Sequence, residues 1–509
     1  MAKQPHPDSM EFAGDYNLDN ILLVNHEAEE LTGIVDIKRM ALELNIFESI
    51  YNNAVTGTMV ITDAQNVIAK LPIQGTERLM FKLSTPGTKD ITTIVDASEE
   101  TGHPFHVYKV SNKKMLSEGT LLYTIHFCSR EFLRNTRTRV SQAYNGTMDD
   151  IAAAIFKDKS YLDSRKRFNF EPTRNSDKLT IPNMRPFDAI MMCADKALPK
   201  NTKGAGYYFY ETTKGFHFRS WESMCVTQGA FERPIKQGFV SMPMNITDPN
   251  VKEKVLHDMM SVEEYQFLNN FHDTAASQVI GTYAQNVITH NLYDKSFRID
   301  KYNYHNSFGA TKHTDSFGSG RDAKKFSVVD TPVDWDLADD GKRHKGVSDY
   351  DEANISLQGT TQFLHNEDKG SYGTDVIDDG KIEATRIAQL TQVMAGTRLR
   401  LVIKGQSYLE AGDVIYFNIR SIDEKNPRGL ADPQYSGRYI ITKIRHRITK
   451  EDYKMVIECV KDCVFTPFAS QGLKFFPAPA SQEGPQFVAI YKAEKGVNTQ
   501  RQAAMSRHG

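Results

Sequence analysis

Several residue groups in this 509-residue chain have types and spacings that could do chemistry. Asp334, Asp336, Asp339 and Asp340 bring carboxylates together at the density of a calcium loop. An EF-type loop wants oxygen ligands at alternating positions, glycine at the sixth and glutamate at the twelfth. Counted from Asp334, the fifth place is Ala338 and the sixth Asp339; counted from Asp336, Gly341 is correct but Ala338 holds the third place and Val347 the twelfth. The register fails both ways, which leaves a solvated charge run. Glu410 and Asp413 are a carboxylate pair of the kind that works on sugars. They sit in a glycine-flanked connection, where Asp commonly accepts from turn amides. His103 and His106 in "GHPFH", and Cys459 with Cys463, are metal-ligand types without the companions a zinc site needs. The run "YYFYETTKGFHF" could be a stacking platform for sugars or bases, or simply core and interface.

The stronger catalytic motifs are missing. The chain has no H-E-x-x-H, no complete phosphate-binding loop and no G-x-S-x-G, and "GAGYYF" lacks the last glycine of a dinucleotide site. The expectation is no enzyme, no cofactor and no metal.

Composition narrows the classes further. With 62 basic and 64 acidic residues the formal charge is −2, which gives no bulk attraction to nucleic acid or acidic lipid. Five scattered cysteines, Cys128, Cys193, Cys225, Cys459 and Cys463, suit reduced, buried thiols. No stretch approaches the ~20 apolar residues of a membrane span, and the amino terminus lacks the order of a secretory signal. A cytosolic product, or one released without such a signal, is expected, with no membrane anchor.

The elements that would position these residues are mostly strands. "TRLRLVIK" alternates Leu399, Leu401 and Ile403 with Arg398, Arg400, Val402 and Lys404, because successive side chains of a strand point to opposite faces. Val414–Ile419, Tyr439–Ile448 and Lys454–Val460 continue an antiparallel meander whose apolar face and edges must be hidden. A second β-rich region spans about Ile34–Phe127, with Leu42, Leu44 and Ile46 assigned to one strand face. Between them the pattern is mixed: a helix from Ser129 to about Tyr144, a capping box at Thr147 and Asp150, a helix opening at Pro186, and a hairpin turning at Gly215. Two strands flank a turn at Asn291–Lys295, and a helical face of Ile387, Leu390 and Met394 precedes Leu399. The polar stretch from Tyr304 to Lys381 is too long for a routine loop and reads as an insertion ordered by a partner. "AQNVI" occurs at Ala64–Ile68 and Ala284–Ile288, a weak hint of duplication.

In order, these parts resemble the baseplate hub proteins of contractile-tailed bacteriophages, the family that includes the T-even phage hub and the base of the type VI secretion spike. The resemblance runs through Gly405, Leu409, Gly412-Asp413, Ser436-Gly437-Arg438-Tyr439 and His446 at the carboxy end. It continues in "IFESIYNNAVTGTMVITD" and "RPFDAIMMCADKA" earlier, and covers about Ile34–Val464. It implies an α+β, β-rich fold with two tail-tube-like antiparallel β-barrels, an intervening α+β domain and a long polar insertion. The implied boundaries are an extension over 1–30, a first barrel over 31–128, the α+β domain over 129–250 and a second barrel over 251–304 and 382–464. The insertion takes 305–381 and an extended tail 465–509.

The implied function is a structural homotrimer joining a hexameric tail tube to a trimeric central spike and enclosing the DNA channel. DNA would pass without specific binding, and other baseplate subunits would contact the insertion and the tail. Its place would be the virion baseplate, after assembly in the host cytoplasm. The alternatives are the base of a contractile secretion spike, a virion cell-wall hydrolase, or a glycan-binding protein using Tyr208 and Phe209.

Overall fold

The computed structural model describes most of residues 12–464, apart from 26–32, 226–235, 242–250, 316–322, 324–345, 361–378, 421–431 and some shorter loops. The Asp334–Asp340 run and the 465–509 tail therefore lie outside the described residues.

Eleven strands form the spine of the largest sheet. They are β1 (Leu22–Val24), β2 (Ile34–Asp36), β3 (Ala41–Ser49), β4 (Thr56–Asp63), β5 (Arg78–Met80), β6 (Phe105–Ser117), β7 (Thr120–Cys128), β8 (Val262–Phe267), β9 (Thr397–Lys404), β10 (Gly437–Thr449) and β11 (Tyr453–Lys461). Their order is β8-β9-β11-β10-β3-β4-β7-β6-β5-β1-β2, with Val414–Asn418 pairing on β10 and Gln237–Val240 on that strand in turn. The chain is thus β-rich α+β, as expected. Hydrogen bonds close none of its sheets among the described residues.

The halves that the sequence sets apart share this sheet. β10 pairs with β3 in antiparallel register, Arg445 opposite Phe47 and His446 opposite Ile46. From that seam the pairing proceeds alike in both directions: β3 to β4, β7 and β6 on one side, β10 to β11, β9 and β8 on the other. One apolar cluster underlies both, from Leu44, Ile46, Met59 and Phe127 to Leu401, Ile444, Met455 and Ile457. The alternation that selects these residues is the one visible in the sequence. Burying each such side chain is worth about 1.5–3 kcal/mol, so the seam is held by core as well as by ladder hydrogen bonds.

Local differences have local causes. Leu42 is exposed although it shares parity with Leu44, because the register shifts between Ala41 and Glu43 and turns it outward. The helix beginning after Ser129 stops at Arg137 (α1, Arg130–Arg137), and Val140–Thr147 is a strand paired with Ser176–Met184. β-branched Thr136, Thr138 and Val140 favour that switch. Thr147 does cap the next helix, α2 (Met148–Lys157), accepting from Asp150 N. Pro186 opens α3 (Pro186–Lys196).

The expected pair Ala284–Asn291 and Phe297–Asn303 forms, but as a separate three-stranded sheet with Ile355–Thr360 and not as part of the large one. It packs against α4 (Asp379–Ala395), and its other face leaves Phe297, Ile299, Ile355 and Leu357 exposed. The two "AQNVI" copies are not equivalent, since Ala284–Ile288 lies in a strand whereas Ala64–Asn66 is the turn behind Asp63. The described part of the amino-terminal extension also has a place. Tyr16 Oη donates to Thr449 O at 2.5 Å, and Asn17–Leu18 pairs with Lys82–Ser84, so the segment contacts both halves.

Candidate functional site

The resemblance motifs gather around the seam. β3 enters it with Leu44, Ile46 and Glu48 inward, which places a carboxylate where strand alternation calls for an apolar side chain. Glu48 is buried and spends both oxygens on backbone: Oε1 accepts from Thr213 N at 2.8 Å and Oε2 from Ala411 N at 3.0 Å. One side chain thereby ties β3, the Tyr207–Ser220 hairpin and the Gly405–Asp413 turn together. His446, on the neighbouring strand, sets Nε2 3.8 Å from Glu48 Oε1 and shares a 2.7 Å hydrogen bond between Nδ1 and Tyr453 Oη. Burial alone would push the Glu48 carboxyl up; His446 and the amide of Thr213 outweigh it and hold the carboxyl below its ordinary value.

The turn residues have steric reasons for their types. A Cβ on Gly405 would stand 2.0 Å from the Tyr453 ring. Gly412 has φ +89°, and a Cβ there would lie 2.2 Å from Tyr210 Oη, so backbone and space both require glycine. Leu409 is buried in the shared core. Asp413 Oδ2 accepts from Glu410 N at 3.1 Å, and Glu410 Oε2 accepts from Thr212 Oγ1 at 2.8 Å. The carboxylate pair is therefore engaged in turn and hairpin bonding.

Ser436, Gly437, Arg438 and Tyr439 meet a second polar knot. Lys461 Nζ donates to Ser436 O at 2.7 Å and pairs with Asp315 at 2.8 Å, while Arg438 N donates to Asp315 Oδ1 at 3.1 Å. Gly437 has φ +138°, a backbone that L residues rarely adopt, and a Cβ there would lie 2.5 Å from Lys461 Nζ. Tyr439 is fully buried and donates to Tyr435 O at 2.5 Å. Beside it, Asp462 accepts from Thr314 N (3.0 Å) and Trp221 Nε1 (3.1 Å), and faces His313 Nδ1 at 3.0 Å. His313–Asp315 belong to the expected insertion, so for these residues the chain itself supplies the ordering contacts.

The other sequence candidates disperse. Tyr208 and Phe209 are 7% and 1% exposed, so the aromatic hairpin presents no open stacking platform. All five cysteines are buried and free. His103 lines a cavity at α1, and His106, in β6, has its pKa drawn down to about 4 by burial and by Arg78 and Arg130. Glu48, Tyr453, Lys461, Asp315 and Asp462 went unread in the sequence. Only Glu48 left a signal there, as a charge on the inward face of an apolar strand.

The geometry of the seam is that of a joint, in which two half-sheets, a hairpin and a turn converge on one buried carboxylate. Three solved structures match most of this chain's length at low identity. The 43 kDa tail protein of prophage MuSo2 from Shewanella oneidensis matches with 9% identity and a TM-score of 0.47, over 88% of this chain and 99% of that one. A tail protein from Neisseria meningitidis gives 9% and 0.42, over 88% and 97%. An E. coli protein described as a component of the type VI secretion system gives 9% and 0.38, over 83% and 73%. No family model and no curated protein matches.

Proposed function

We propose that this chain is a structural, non-enzymatic wall subunit of a phage tail hub. Three copies would form a ring between a hexameric tube and a trimeric spike, with a passage for DNA at its centre. The observation that carries the reading is the seam: β3-β4-β7-β6 on one side and β10-β11-β9-β8 on the other are two comparable four-stranded halves of one sheet, with β5, β1 and β2 extending the first. Each half would build one lobe, and three chains would then bring six. An odd-to-even symmetry match of this kind needs two comparable units per polypeptide. Among the described residues the sheet ends at β2 and β8, edges that neighbouring copies would cover, since an open edge invites pairing. The exposed apolar face at Phe297, Ile299, Ile355 and Leu357 is consistent with a subunit made for assembly.

Light scattering on the purified chain tests this reading. A mass of three chains, growing when a tail-tube or spike protein is added, supports it. A monomer at every concentration, unchanged by either partner, overturns it.

A further inference from the structure

The middle domain carries a charge imbalance that the joint does not use. Arg130, Arg134 and Arg137 lie at i, i+4 and i+7 and so share one face of α1. Two of them are fixed onto the loop that follows α2. Arg134 donates to Tyr161 O at 2.7 Å and Lys159 O at 2.6 Å, and Arg130 to Asp163 O at 2.8 Å and Oδ2 at 2.9 Å. A cavity of about 220 Å³ opens where helix and loop meet, lined by His103, Arg130, Glu131, Asp163, Arg165 and Lys166.

Around it Arg137, Arg139, Lys157, Lys159, Arg165 and Arg167 are exposed, and among the described residues none makes a salt bridge. Over residues 130–167 nine cations face five carboxylates, which stay in local contacts and offset only part of the positive charge. Glu131 is buried against Lys166, Asp149 bonds Thr173, Asp150 bonds Thr147, Asp158 accepts from Ser160 N, and Asp163 holds Arg130. The positive field reaches its neighbours: after burial, Arg78 and Arg130 are the main causes that draw His106 down.

We propose that the surface of α1 and the 157–167 loop is a docking face for an acidic protein segment. Two features favour protein over nucleic acid. Tyr108, 40% exposed, leans on the half-buried Phe132 at 6.3 Å, which gives the cations the aromatic companions typical of protein interfaces. The chain as a whole carries −2, so a long polyanion running beyond this face would meet net negative surface. The proposal does not depend on ring formation.

Fluorescence anisotropy with a labelled oligo-glutamate peptide of about ten residues and a labelled duplex DNA of similar charge tests it, at about 50 and about 200 mM salt. The peptide should bind the full chain, more weakly at the higher salt. The triple variant R137E/R139E/K159E should lose at least about tenfold in affinity, whereas the control K113E/K114E, exposed lysines of β6 outside the α1 and 157–167 surface, should lose less than about twofold. If thermal melting shows the triple variant misfolded, R139Q/K157Q is measured instead, with a loss of about threefold expected. No peptide binding, equal losses in both variants, or tighter binding of the duplex than of the peptide would overturn the proposal.

Discussion

Glu48 and His446 face each other across the seam with 3.8 Å between carboxylate oxygen and imidazole nitrogen, and neither side chain is reached by solvent. Glu48 also accepts two backbone amides from different parts of the chain. Removing the carboxylate leaves both backbone donors without their acceptor, while His446 keeps its bond to Tyr453. An unsatisfied buried donor costs about 1–3 kcal/mol, so E48A should destabilise the fold by about 3 kcal/mol, read as a lower urea midpoint with unchanged slope. An unaltered midpoint would show that the seam does not depend on this carboxylate.

Acid should loosen the same joint. The Glu48 carboxyl is held below its ordinary 4.5, so the folded state stabilises the ionised form. That contribution is complete above about pH 4.5 and is lost as pH falls through the lower folded-state value. Asp462, which burial would push up but His313, Thr314 and Trp221 pull down further, acts with the same sign. Thermal melts of the native chain should therefore fall steeply below about pH 4.5, and E48Q should show a shallower fall over that range. Parallel pH profiles for the two proteins would assign the acid sensitivity elsewhere.

Gly412 supports the turn that delivers the Ala411 amide. G412A combines a left-handed backbone with a close approach to Tyr210 Oη. Strain and overpacking each cost about 1–3 kcal/mol, giving about 3 kcal/mol together. Pairing it with Y210F, which removes the clashing oxygen, should recover part of the loss in a double-mutant cycle; strict additivity would contradict the contact.

Lys461 and Asp315 form the knot that docks the described start of the polar insertion. K461M leaves Asp315 buried without its counter-charge and should cost about 3–5 kcal/mol, while K461M/D315L should restore most of it. Differential scanning calorimetry on the three variants checks this. A double variant as unstable as the single one would mean that the ion pair is not what holds the two segments together.

Much of this fold was legible in the sequence because alternation is local. Leu399, Leu401 and Ile403, or Gly215 in its hairpin, declare themselves within a few residues. Leu42 misled because a register shift is set by the partner strand. The strand at Val140–Thr147 was hidden because its partner, Ser176–Met184, lies some way along the chain. The seam itself was invisible for the same reason, since β3 and β10 belong to opposite ends of the molecule. Gly405 and Gly412 were legible as punctuation of a strand connection and Gly437 only through the family motif, while the side chains that crowd them, Tyr453, Tyr210 and Lys461, follow only from the packing.

The central claim is that one chain contributes two like lobes to a closed collar. Rotationally unconstrained averages of electron micrographs of the assembled particle, viewed end on, test it most directly. The account predicts three-fold particles with six evenly spaced lobes around an open centre. Three lobes, or an open chain of subunits with no closure, would contradict it.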